Sequence, residues 1–153
     1  MNATALPRLK SETIEEIMRE HDALQRKVNR IHTVLSEPEP APQEIDALLR
    51  EFLTTLIVHF SNEEAEEQGF FAEVSAHSPS LAGSAAKLCV EHRQLLHDAN
   101  ELCQFASAGS PSIPWWRELR SRCHEFYKRL RNQEFQENKL LHEAYKSDNG
   151  ACD

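Results

Sequence analysis

The sequence lacks any apolar run approaching the roughly 20 residues a helix needs to cross a bilayer, so no membrane span is expected. It is short of positive charge. Its 17 Lys and Arg stand against 25 Asp and Glu, for a formal net charge of −8. Phosphate contacts need clustered Lys and Arg, which removes nucleic acid from the expected partners. Glycine is scarce at 4 and proline modest at 7, while the apolar fraction is 40%. That balance excludes collagen-like, low-complexity and disordered chains. Sustained apolar–polar alternation is missing, so no strand is expected. Export signals are missing too, since MNATALPRLKSETIEE at the N-terminus has no apolar stretch. Cys89, Cys103, Cys123 and Cys152 have no CxxC pair among them. They are expected to be reduced thiols in a cytoplasmic protein.

What the sequence has is histidine, 8 residues in a chain of 153. A length of 153 suits one domain. Three clusters rich in Pro, Gly and Ser punctuate it: Ser36 to Glu44, His77 to Ser84, and Ser107 to Pro114. They leave four helical stretches, about Thr13–Leu35, Glu44–Val74, Ser80–Ala106 and Pro114–Lys146. Thr13 and Glu16 can form a capping box at the first. The expected organisation is an extension at 1–12, a helical unit at 13–146 and a tail at 147–153. Short loops between four amphipathic stretches predict an all-α, up-down-up-down four-helix bundle.

Each stretch carries an apolar stripe in steps of three and four, and each stripe is interrupted by polar residues. The first runs Ile14, Ile17, Met18, Leu24, Val28, Ile31 and Leu35, with His21 in its gap. The second runs from Ile45 through Phe52, Leu56 and Phe60 to Phe70, Phe71 and Val74, with His59 and Glu63 inside it. The third includes Leu88, Cys89, Leu96, Ala99 and Leu102, with His92 between Cys89 and Leu96. The fourth includes Trp116, Leu119, Cys123, Phe126, Leu130 and Leu140, with Gln133 and Glu137 as polar members.

Counting from the loops gives depth. His21 lies as far before Ser36 as His59 lies after Glu44, and Glu63 as far before Ser75 as His92 after Ser80. The pairing of His92 with Gln133 misfits by about 6 Å of helix, which either an overhang at Trp115 and Trp116 or a shift of the helix boundaries would absorb. The expected result is one buried layer of His21, His59, Glu63, His92, Gln133 and Glu137. Buried carboxylates are costly unless paired or metal-bound. No Lys or Arg occupies the stripes at this level. Three imidazoles with two carboxylates form a ligand set for a first-row transition metal. Glu and His projecting inward from facing helices can hold two iron or manganese ions.

The remaining histidines read as ordinary. His124 is half a turn out of phase with Gln133, and His97 and His142 lie about 140° off the proposed ligands. His77 is expected in a loop, and His32 near the bundle end. Cys89 reads as core filler and Glu63–Glu67 (EEAEE) as a largely solvated acidic face. Glu66 is too far along the axis to be recruited as a ligand.

The pattern of His21, HFSNE with His59 and Glu63, EH ending in His92, and QEFQENKLL with Glu137 resembles the hemerythrin-like (HHE cation-binding) family. That family has one His on the first helix, HxxxE on the second, one His on the third and HxxxE on the fourth. Gln133 stands where the resemblance leads one to expect a histidine. The ending ENKLLHEAY followed by SDNGACD looks like a bacterial subgroup of the family.

The resemblance implies a di-iron site bridged by Glu63 and Glu137, with His21 and His59 on one metal and His92 on the other. Gln133 offers only a neutral amide oxygen as a weak ligand or supporting group. The site is then dinuclear with one loose ion, mononuclear, or completed by a recruited ligand. Iron is the expected cofactor, with manganese or zinc as substitutes.

The resemblance also implies oxygen, nitric oxide or peroxide as the small-molecule partner, in binding, sensing or iron handling. No dedicated acid–base residue supports turnover, so the reading leans away from an enzyme. The alternative is a metal-free interaction module that has lost a complete site.

Overall fold

The computed structural model describes residues 11–67 and 69–150, with side chains from 14 to 146. The expected N-terminal extension therefore falls almost wholly outside the described residues, as do Cys152 and the side chain of Thr13. The described residues are all-helical, with five α-helices and no strand. They are α1 (Ser11–Leu35), α2 (Pro42–Glu64), α3 (Phe70–His77), α4 (Ala82–Ala108) and α5 (Ile113–Gly150), with a 3₁₀ turn at Pro79–Leu81. The last helix runs on into the segment expected as a tail.

The difference from four stretches lies at Ala65–Gly69, where the second stretch breaks in two. Ala65 leaves the helix with ψ at 135°. Gly69 packs so closely that a Cβ there would lie 2.3 Å from the Ala65 carbonyl oxygen. Only glycine permits that approach of two backbones. Glu63 and Glu67 are four apart, a like-charge spacing that disfavours continued helix. The break re-aims α3, so Phe70, Phe71 and Val74 are buried despite the long gap after Phe60.

Other positions also depart from expectation. His77 is not in a loop; it is the last residue of α3 and is buried. Its helix extends through it because Ser78 N–H donates to the Val74 carbonyl at 2.8 Å. Leu95 rather than Leu96 takes the fully buried position on α4, and Met18 is 47% exposed. On α4 the inward direction is filled by Leu95, three residues after His92, and on α1 by Ile17, four residues before His21.

Proline at the first turn suits α2, because its missing N–H has no partner in a helix start. The guanidinium of Arg120 donates from α5 to the Leu35 carbonyl at 3.1 Å. It satisfies one of the open carbonyls at the end of α1. At the turn into α5, the indole of Trp115 donates to the Phe105 carbonyl and stacks on Phe105. The Trp115 ring occupies the place where a side chain at Gly109 would stand. These contacts fix the start of α5 against the end of α4.

Two apolar clusters form the interior. The larger includes Leu24, Val28, Phe52, Leu56, Phe60, Leu95, Leu119 and Leu130. The smaller includes Ile17, Phe70, Phe71, Val74, Leu88 and Leu140. Each buried Leu or Phe contributes roughly 1.5–3 kcal/mol. The polar layer separates them: His21 falls between Ile17 and Leu24, His92 between Leu88 and Leu95, and Gln133 and Glu137 between Leu130 and Leu140.

Candidate metal centre

Every polar member of the predicted layer is buried. His92 is 0% exposed, Glu63 and Glu137 1%, His59 and Gln133 2%, and His21 7%. The helices bring them together because each projects from the stripe that packs inward. Glu137 is the hub. It accepts at 3.0 Å from His21 Nε2 on one oxygen and at 3.0 Å from His92 Nε2 on the other. The Gln133 amide nitrogen donates to it at 3.3 Å and to the Leu88 carbonyl at 3.2 Å. Glu63 Oε1 lies 2.9 Å from His59 Nε2 and 3.7 Å from His92 Nε2.

One ligand atom from each of His21, His59, Glu63 and Glu137 falls within 4.8 Å of all the others. His92 stands beside this group, against both carboxylates, and outside the tight set. Its ring stacks on Phe60 at 3.7 Å between centroids and meets Phe71 at 5.3 Å. Its outer nitrogen is 3.7 Å from Glu64, too far for a hydrogen bond.

A further carboxylate, absent from the sequence reading, supports the site. Glu20 Oε2 accepts from His59 Nδ1 at 2.7 Å, and Asn62 Nδ2 donates to Glu20 Oε1 at 2.7 Å. Its position next to His21, and that of Asn62 three residues after His59, were the available signals. A carboxylate on the outer nitrogen fixes the tautomer of an imidazole and turns the inner nitrogen's lone pair toward the site.

The protonation states explain what this pocket requires. Burial works to lower the His59 pKa, yet hydrogen bonds to Glu20 and Glu63 prevail and raise it to about 10. Burial and the charge of Glu137 push Glu63 up to about 9, against the opposing pull of His59. Burial also acts to raise Glu137, but hydrogen bonds from His21 and His92 hold it well below the usual carboxylate range. Burial likewise opposes the ionised form of Glu20, whose bonds to His59 and Asn62 nevertheless lower its pKa. The carboxylate pair therefore holds a proton that a cation can replace.

Beyond the 2.9 Å approach of His59 Nε2 to Glu63 Oε1, atoms remain without a hydrogen-bond partner, among them Glu63 Oε2 and Gln133 Oε1. Buried polar atoms left in this way cost about 1–3 kcal/mol each. Two imidazoles and two carboxylates converging with open acceptor atoms fit a divalent transition ion. The donor set is therefore suited to a metal on the His21–His59–Glu63–Glu137 side.

The other histidines stand apart from the layer. His124, His142 and His97 are exposed, and His97 pairs with Glu101 at 3.2 Å. His97, Asp98 and Glu101 form another His–acid group, but it lies on the outer face of α4 and Asp98 is tied to Arg129. His32 meets Tyr127 edge-on. Of the acidic run, Glu64, Glu66 and Glu67 are exposed while Glu63 turns inward. Cys89, Cys103 and Cys123 are free thiols.

A family model described as Hemerythrin HHE cation binding domain matches residues 12–145. No curated protein and no solved structure matches the chain.

Proposed function

The chain belongs to the hemerythrin HHE cation-binding domain family, and from that premise we propose that it is a cytoplasmic non-haem iron protein that binds or senses dioxygen, nitric oxide or peroxide. The observation that carries this reading is the convergence of four buried ligand atoms from His21, His59, Glu63 and Glu137 within 4.8 Å. His21 and His59 would hold one ion with Glu63 and Glu137. His92 and the Glu137 carboxylate would hold a second, more weakly, because Gln133 turns its amide nitrogen toward Glu137 and the Leu88 carbonyl. The long helices form an up-down-up-down bundle in this reading, so that all four contribute to one layer. Bound iron would supply a redox-active centre with room for a diatomic or peroxide ligand. The chain itself holds the donors in place, excludes water through Phe60 and Phe71, and keeps His59 oriented through Glu20.

The test is metal analysis of protein purified from iron-replete cells, with anaerobic iron(II) reconstitution. At least one iron per chain is expected, with spectral change on adding dioxygen or nitric oxide. A chain that stays empty after reconstitution would instead be a metal-free interaction module. In that state the hydrogen bonds among His21, His92 and Glu137 and the proton on Glu63 would be permanent features of the core.

A further inference from the structure

We propose that the acidic cleft between α1 and the α2–α3 break is the port through which a hydrated divalent cation reaches the buried layer. In this scheme Glu16 and Glu67 gather the cation at the mouth, and Glu20 passes it inward. The proposal rests on the reading of the layer as a metal centre.

The cleft is about 200 Å³ and is lined by Glu16, Glu20, Glu63 and Glu67 together with Asn62. Among the described residues its wall has four carboxylates and no Lys, Arg or His. Its inner end is Glu63, a layer residue that is 1% exposed; Oε1 faces His59 Nε2 at 2.9 Å, and Oε2 has no hydrogen-bond partner. A buried carboxylate oxygen left open at the end of an acidic cleft is a destination for a cation.

The wall is built by local sequence. Glu16 and Glu20 are four apart on α1 and share a face. Glu67 belongs to the break, whose shape depends on the close packing of Gly69 on Ala65. Glu20 connects outside and inside. Its side chain lines the cleft, is 23% exposed, and bonds to His59 Nδ1 and Asn62 at 2.7 Å each. An ion arriving there is one imidazole away from the layer.

Two other clefts among the described residues do not share this character. One of about 640 Å³ between α4 and α5 reaches Gln133, but Lys128 and Arg129 stand in its wall with Glu91 and Glu125. Balanced charge gives a cation no attraction there. Another, of about 410 Å³, carries Lys87 and Lys139 and touches none of the layer residues.

The test is stopped-flow uptake of cobalt(II) by the metal-free full chain, read by its absorption. Glu16 and Glu67 are exposed, so E16Q/E67Q removes charge without disturbing the core. Uptake should slow roughly tenfold at low ionic strength, and the difference should shrink as salt is added. The number of ions bound at saturation should match the parent chain. The control pair E91Q/E125Q, at the α4–α5 cleft, should leave the rate unchanged. Equal rates for E16Q/E67Q and the parent overturn the port, as does equal slowing by the control pair. If the parent chain takes up no cation at all, the metal-centre reading falls and the port with it.

Discussion

The two halves of the buried layer are built from similar residues and are not equivalent. On one side His21, His59, Glu63 and Glu137 bring ligand atoms within 4.8 Å, and Glu20 orients His59 from behind. On the other side His92 has its outer nitrogen unbonded, and its neighbour on α5 is Gln133. Aromatic packing on Phe60 and Phe71 holds His92, where a carboxylate holds His59. Burial of a histidine therefore does not define its role. What differs is whether its outer nitrogen is anchored and whether its inner nitrogen shares a tight donor set.

The largest effect should come from removing the packing that holds the second half. Phe60→Ala should destabilise the fold by about 3–5 kcal/mol, measured by denaturant unfolding of the metal-free chain. A cost near zero would mean that Phe60 does not hold His92.

Metal affinity then separates the halves directly. His59→Ala should weaken the tightest ion by more than about 100-fold, above the range for loss of a supporting group. His92→Ala should weaken that ion much less and act on the second. Isothermal titration with anaerobic iron(II) reads both, and equal losses would erase the distinction. Glu20→Gln should fall between, at roughly 10–100-fold, because the His59 ring survives without its anchor. If Glu20→Gln binds like the parent, the Glu20–His59 pair is incidental.

pH sharpens the same contrast. With His59 raised to about 10 and Glu63 to about 9, both bind protons at neutral pH in the metal-free chain. A cation must displace those protons, so apparent affinity should rise with pH through 6 to 9 and level off above about 10. Calorimetry in buffers of different ionisation enthalpy should register proton release, and a pH-independent affinity would contradict it.

Gln133→His gives the smallest change in stability. It removes two amide hydrogen bonds worth about 1 kcal/mol each, and it supplies the second half with an imidazole. The number of ions at saturation should rise toward two if Gln133 is what limits that half.

Much of this was legible in the chain. The three-and-four stripes fixed which residues face inward, because helical azimuth is set by a constant 100° per residue. Hence His21, His59, Glu63, His92, Gln133 and Glu137 are buried, while His97, His124 and His142 are not. The break at Ala65–Gly69 also left signs: an empty stripe after Phe60, a run of carboxylates and a glycine. Reading the stretch as one helix missed them. Periodicity resumes at Phe70 and hides a change of axis.

The sequence by itself determined helical class, the inward faces and the residue types of the layer. Tertiary structure decided which of those residues touch. Azimuth and rise are coordinates within one helix, whereas hydrogen bonds of 2.7–3.0 Å depend on how helices are rotated and shifted against each other. Only the packed helices made Glu20 the partner of His59, Glu137 the hub for two imidazoles, and one half of the layer more complete than the other.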